Sequence, residues 1–132
     1  LSAAPAIGEE IAWLGDADKA WAEAVKADRP LVLFITRSKC RFCMKMKSVT
    51  FADPEVSAQI NASFVPLAID PKTDAALIKE LKIASFPTTL IISPEAVTLE
   101  RIKGYLPPQE FLERLTRSST PATASQTGSS RR

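Results

Sequence analysis

The sequence predicts an α/β domain in which a central mixed sheet of about four to five strands carries helices on both faces. Three observations lead there. Leu31-Val32-Leu33-Phe34-Ile35 is a continuous apolar run of strand length, and a strand without a polar face needs cover on both sides. Segments with helical spacing stand before and after it. Towards the other end, residues 88–92 and 97–103 read as two strands joined by Ser93-Pro94-Glu95-Ala96, a turn short enough to force an antiparallel pair. With 132 residues and 45% hydrophobic content, the chain is long and apolar enough for one domain with a real core.

The elements follow in order. Residues 1–10 show no periodicity and form a lead-in to a domain expected over residues 11–116. Residues 11–14 read as a short edge strand. From Asp16, an N-cap after Gly15, the positions Ala17, Ala20, Trp21, Ala24 and Val25 keep helical spacing, which puts Trp21 on the buried face. Asp28-Arg29-Pro30 ends that pattern. The strand at 31–35 comes next, then a polar turn at 36–39. A helix over residues 40–49 is expected from good helix formers without Gly or Pro. Asp53 and Pro54, as cap and first helical residue, open a helix over 54–60. Residues 63–69 form a strand in which Pro66 implies an irregularity or an unpaired edge. Helical spacing returns over 74–83, through Ala76, Leu77, Lys79 and Leu81. After the hairpin, Gly104 breaks the second strand and a helix runs over 107–115 with Phe111, Leu112 and Leu115. Residues 117–132 form a Ser/Thr-rich tail with little to bury, expected to be disordered. Both tryptophans, Trp13 and Trp21, are expected to pack against the sheet.

Charge excludes some functions. The formal net charge is +2, but Arg117, Arg131 and Arg132 lie where no acid occurs, so residues 1–116 carry 14 basic and 15 acidic groups. The folded part is near neutral, and no nucleic-acid partner is expected. No apolar run approaches the roughly 18 residues of a membrane span. The chain begins with Leu1 rather than Met, so a processed or excised piece is expected, its upstream signal or anchor lying outside it.

The basic groups that remain unusual are local. Arg37, Lys39, Arg41, Lys45 and Lys47 crowd the only two cysteines, Cys40 and Cys43. Three residues apart at a helix start, two cysteines fall within the roughly 4.4 to 6.8 Å Cα window of a disulfide. A ring this small constrains the unfolded chain little, which argues against a purely structural bridge. Cys40 at the helix N-terminus, among cations, is expected to be ionised at neutral pH, with Cys43 more shielded. A metal site is not expected: zinc takes four ligands, and the chain offers two cysteines and no histidine. Two inert buried thiols remain the plain alternative for an isolated CxxC, and context decides between them.

That context is Ser85-Phe86-Pro87-Thr88 at the head of a strand. With RPLVLFITRSKCRFCMKMK, FADPEVSAQINASFVPLAID, IASFPTTLIIS and IKGYLPPQEFLERL, the chain resembles the thioredoxin superfamily over about residues 12–115. The likeness is to the thioredoxin-like domains of exported or membrane-tethered bacterial proteins. It implies a thioredoxin-like fold, a cis bond before Pro87, and Pro87 lying against the sulfurs. It also implies a disulfide oxidoreductase acting on protein thiols or disulfides with an electron donor or acceptor protein. The redox-active disulfide Cys40–Cys43 is then the only cofactor. Lys39 and Arg41 are expected to stabilise the Cys40 thiolate, and Phe42, Ser85 and Phe86 to meet substrate.

Two departures stand out. Where thioredoxin has a buried aspartate this chain has Phe34, and where it has a lysine in the next strand this chain has Pro66. A peptide-binding module that keeps the fold with little redox turnover is therefore the rival reading. A monomer is expected, exported or periplasmic, with a cytoplasmic origin left open.

Overall fold

The structure is a computed structural model that describes residues 9–119. Helix α1 (Ala17–Ala27) is held at its start by Asp16, whose carboxylate accepts the Lys19 N–H at 3.1 Å. It ends at Asp28, which turns left-handed at φ 55 and donates its N–H to the carbonyls of Ala24 and Val25. The face that meets the sheet is made by Ala20 and Ala24, both fully buried. Trp21 is only half-buried and Val25 is exposed, so the expected burial of Trp21 is corrected. Small side chains at 20 and 24 let the helix sit close to the sheet, which leaves the large neighbouring rings and branches at its rim.

Four strands make one mixed sheet: β1 (Leu31–Ile35), β2 (Val65–Ile69), β3 (Thr88–Ile92) and β4 (Thr98–Lys103), in the spatial order β2-β1-β3-β4. β1 pairs parallel with β2 and antiparallel with β3, and β3 pairs antiparallel with β4. β1 is thus central, as its unbroken apolar run requires, and all five of its residues are buried. Pro66 lies on edge strand β2, where no outer strand needs its missing N–H.

The edge strand expected at residues 11–14 is reduced to one bridge between Leu14 and Leu67. Leu14 N–H donates to the Pro66 carbonyl at 2.9 Å, and Ala68 N–H donates back to the Leu14 carbonyl at 3.0 Å. Just before it, Trp13 N–H bonds to the Ile11 carbonyl at 3.0 Å, and that tight turn stops a strand from extending.

Side chains leave the sheet alternately, as strand geometry demands. Leu33, Ile35, Leu67 and Leu90 point to the layer of α1 and of α4 (Pro71–Glu80). Val32, Phe34, Ile91 and Ile102 point to the other layer, packed on Met46, Phe51, α3 (Pro54–Ser63) and α5 (Pro108–Ser119). An aromatic chain runs through this second core. Phe34 meets Trp13 at 5.7 Å and Phe51 at 4.9 Å between ring centroids, and Phe51 meets Phe111 at 5.3 Å.

Four helices differ from their expected bounds or shape. α3 runs on to Ser63, so β2 starts at Val65 and not at residue 63. The helix after Cys40 is α2 (Arg41–Lys45), continued by a π-helical turn (Met46–Thr50) in which Phe51 N–H reaches the Met46 carbonyl at 2.9 Å. α4 starts earlier than expected, because Asp70 caps it: its carboxylate accepts the Lys72 and Thr73 N–H groups, and Thr73 Oγ1 accepts the Asp70 N–H. Non-helical Asp74 kinks α4 and caps its second part through Leu77 N–H. α5 runs to Ser119, so residues 117–119 belong to a helix and not to the expected tail. Its extension is tied down by Glu100, which binds Arg114 at 2.8 Å and Arg117 at 2.9 Å. The rest of that tail, residues 120–132, and residues 1–8 of the lead-in lie outside the described residues.

Candidate active site

Cys40 is the N-cap of α2. Its backbone is extended at φ −114 after Lys39 has turned left-handed at φ 55, which brings the cysteine out of the loop and onto the first turn of the helix. Cys40 and Cys43 form a disulfide with Cα atoms 5.2 Å apart. Cys43 N–H donates to Cys40 Sγ at 3.2 Å, so the sulfur occupies the place that a capping oxygen takes elsewhere. The two sulfurs differ in access. Cys40 keeps 8% of its surface and Cys43 only 1%. Beside them Phe42 is 54% and Met44 65% exposed, both unusual for large apolar side chains.

The sheet brings the second part of the site to the same end. Because β1 and β3 are antiparallel, Ile35 at the end of β1 stands opposite Thr88 at the start of β3. The loop to Cys40 and the segment 85–87 therefore leave the sheet side by side. The Phe86–Pro87 peptide bond is cis, Pro87 is buried, Phe86 is half-buried and Ser85 is exposed. The Ser85 carbonyl accepts the Thr88 hydroxyl at 2.8 Å.

Two cation–aromatic contacts lace these segments together. The Arg37 guanidinium lies 5.0 Å from the Phe86 ring centroid, and the Lys45 ammonium 4.5 Å from that of Tyr105. Gly104 N–H closes the arrangement by donating to the Pro87 carbonyl at 2.7 Å. Residue type had singled out Arg37 and Lys45 as cations near the cysteines; their ring partners are remote in sequence and left no local signal. Tyr105 was missed for the same reason. Lys39 and Arg41, next to Cys40 in the chain, are exposed, and neither pairs with a carboxylate among the described residues.

The polar residues buried among those described are Thr50, Ser57, Thr88, Thr89 and Ser93, with no carboxylate or ammonium. Phe34 fills its place with a ring wedged between Trp13 and Phe51, 1% exposed. The site therefore holds a disulfide at the start of α2 with exposed cations on either side of it in the chain, and no buried acid among the described residues.

Residues 17–119 match the family model of the thioredoxin-like domain. The chain belongs to that family. Solved structures agree on the fold of this thioredoxin-like domain. A thioredoxin from Thermus thermophilus is 22% identical, with 94% of this chain and 100% of the other covered at a TM-score of 0.80. A structure described as DsbH oxidoreductase is 18% identical, with 90% of each chain covered at 0.73. The oxidised C-terminal domain of DsbD from Neisseria meningitidis is 25% identical, with 77% of this chain and 95% of the other covered at 0.61. No curated protein sequence matches the thioredoxin-like chain significantly. None of its described helices is long and apolar enough to cross a membrane.

Proposed function

We propose that the chain is a thiol–disulfide oxidoreductase of protein substrates, working through Cys40 and Cys43. The observation that carries this is the pair itself: a disulfide across the first turn of α2 whose outer sulfur caps the helix while the inner one is closed off. On reduction, the Cys43 N–H and the nearby cations favour a thiolate at Cys40. That thiolate attacks one sulfur of a substrate disulfide; the substrate S–S bond breaks, a mixed disulfide forms, and the first substrate thiolate leaves. Cys43, deprotonated by water or by the departing thiolate, then attacks Cys40 Sγ. The second substrate thiol is released and the Cys40–Cys43 bond re-forms, so two electrons pass from dithiol to substrate. The reverse sequence oxidises a substrate dithiol.

In this reading Lys39 and Arg41 stabilise the thiolate. Phe42, Ser85, Phe86 and Pro87 meet the substrate, Phe86 offering backbone to an extended strand. No cofactor beyond the dithiol is called for, and a second protein supplies or accepts electrons. An exported, periplasmic setting belongs to the same proposal, supported by the resemblance to thioredoxin-like domains of exported or membrane-tethered bacterial proteins, and the chain is proposed to act as a monomer.

That no carboxylate is buried among the described residues favours a second reading, a peptide-binding module with little turnover. Cys43→Ser separates the two. Its Cys40 thiolate is expected to attack protein disulfides and accumulate as mixed disulfides that Cys43 can no longer resolve, which a pure binder does not form, and Cys40→Ser is expected to abolish turnover. Turnover that survives Cys40→Ser rules the mechanism out. Equilibration with glutathione buffers then sets direction: about −270 mV marks a reductant, about −180 to −120 mV an oxidant or isomerase.

A further inference from the structure

We infer that the rim around Cys40 receives an acidic polypeptide segment with apolar residues next to its reacting sulfur. This deepens the oxidoreductase reading and rests on it. The first observation is charge. Between Asp28 and Asp53 the sequence has no acidic residue, yet it places Arg37, Lys39, Arg41, Lys45 and Lys47 within eleven positions. All five side chains are exposed, and none is ion-paired with a carboxylate among the described residues. Asp70 lines the same cleft as Arg37 and Lys47, together with Lys72, and its carboxylate accepts the N–H groups of Lys72 and Thr73. The rim is thus a local excess of positive charge on a chain whose residues 9–119 hold 15 basic and 15 acidic groups.

The second observation is that the cations are placed. Arg37 is laid on Phe86 and Lys45 on Tyr105, on either side of Pro87 and of Gly104, whose N–H is bonded to the Pro87 carbonyl. Lys39 and Arg41 bracket Cys40 in the chain. The loop before Cys40 thus contributes Arg37 and Lys39, and α2 with the turn that follows it contributes Arg41, Lys45 and Lys47, while the rings that seat Arg37 and Lys45 come from two other segments. For a site that takes polypeptides, charge of one sign beside its disulfide is matched by acidic residues of the incoming segment itself. The third is apolar exposure. Of the large hydrophobic residues exposed among those described, Phe42, Met44 and Val49 fall in this same stretch, and the rest are Val25, Val97 and Leu99. An incoming segment with apolar residues beside its cysteine and carboxylates further out would cover both kinds of surface.

The test compares two synthetic peptides that share one disulfide and its apolar neighbours, one flanked by Asp and Glu, the other by Lys. Reduced protein is mixed with each, and exchange is followed by stopped flow. At low salt the acidic peptide is expected to react about tenfold faster or more, and the advantage is expected to vanish near 1 M salt, where the Debye length is about 3 Å. In Lys45→Glu/Lys47→Glu the ratio of the two rates is expected to fall towards one; a general loss of reactivity would lower both rates alike and leave the ratio. Equal rates for the two peptides, with a small uncharged disulfide reacting normally, overturn the inference and leave the oxidoreductase reading standing. Failure of that small disulfide too overturns the oxidoreductase reading itself. Equal peptide rates together with salt-sensitive binding to phosphatidylserine vesicles assign the patch to a lipid surface and overturn the inference.

Discussion

Arg37 rests on Phe86 with its guanidinium carbon 5.0 Å from the ring centroid, joining the loop that delivers Cys40 to the residue that precedes Pro87. The contact couples the two halves of the site, which the chain itself keeps far apart. A cation–π pair at an exposed position is worth about 0.5 to 1 kcal/mol. A double-mutant cycle of Arg37→Gln and Phe86→Leu, followed by urea unfolding, is expected to give a coupling of that size. The same variants are expected to lower kcat/KM for a peptide disulfide more than they lower stability. A coupling near zero would mean that Arg37 is held by solvent alone.

The Cys40–Cys43 ring also makes a statement about stability. A crosslink closing so few residues removes at most about 2 kcal/mol of entropy from the unfolded chain, and a stabilised Cys40 thiolate works in the opposite direction by favouring the reduced native state. Oxidised and reduced protein, unfolded in urea side by side, are therefore expected to differ by no more than about 2 kcal/mol. A much larger advantage for the oxidised form would identify a structural bridge and count against redox work.

How much of this was legible in the chain varies from element to element, for physical reasons. β1 and the capped starts at Asp16 and Asp53 were readable because their signals are local: an unbroken apolar run and a side chain that bonds to backbone within three residues. The helix carrying the cysteines was readable as a helix, but its π turn was not, because no Gly or Pro marks it and Phe51 is drawn to the Trp13 and Phe34 rings by packing. The start of α4 was missed although Asp70, Pro71 and Thr73 spell a capping box, since the apolar spacing begins only after the kink at Asp74. Burial of Trp21 was misjudged because periodicity gives a helix face but not how wide a strip the sheet covers. Helix α5 outran its apolar pattern because Arg117 is paired with Glu100 on another element. At the site, the cysteines were plain and the aromatic seats of Arg37 and Lys45 were not, being contacts that only the folded sheet creates.

Phe34 occupies the place where the family resemblance leads one to look for an acid, and its surroundings explain why restoring one is expected to fail. The ring is buried against Trp13, Phe51 and the layer that includes Met46 and Ile91. Phe34→Asp removes these contacts and places a carboxyl among apolar groups, at a cost of about 4 kcal/mol or more at neutral pH. Burial raises the folded-state pKa of such a carboxyl above its unfolded value of about 3.9, so the penalty grows as pH rises from there and eases on acidification. Urea midpoints measured from acid to neutral pH are expected to show this slope in the variant relative to the parent. A variant as stable as the parent at neutral pH would show that the core around residue 34 is wet, not packed.

Gly104 turns at φ 80 immediately after β4, and its N–H holds the Pro87 carbonyl at 2.7 Å. A Cβ built on it meets no atom within 4 Å, so substitution is resisted by backbone conformation and not by crowding. For an L-residue in the left-handed region the strain is about 1 to 2 kcal/mol. Gly104→Ala is expected to lose about that much stability if the turn is kept. If the backbone instead relaxes to negative φ, the N–H leaves the Pro87 carbonyl and the segment 85–87 moves. These routes are distinguishable: the first lowers the unfolding midpoint and leaves KM for a peptide disulfide as it was, while the second raises KM. Because the bond to Pro87 is short and the turn must pass Lys103 to Tyr105 with its ring under Lys45, retention of the turn is the expected route. A rise in KM with no loss of stability would show that this hydrogen bond, and not the fold as a whole, positions the residues around Pro87.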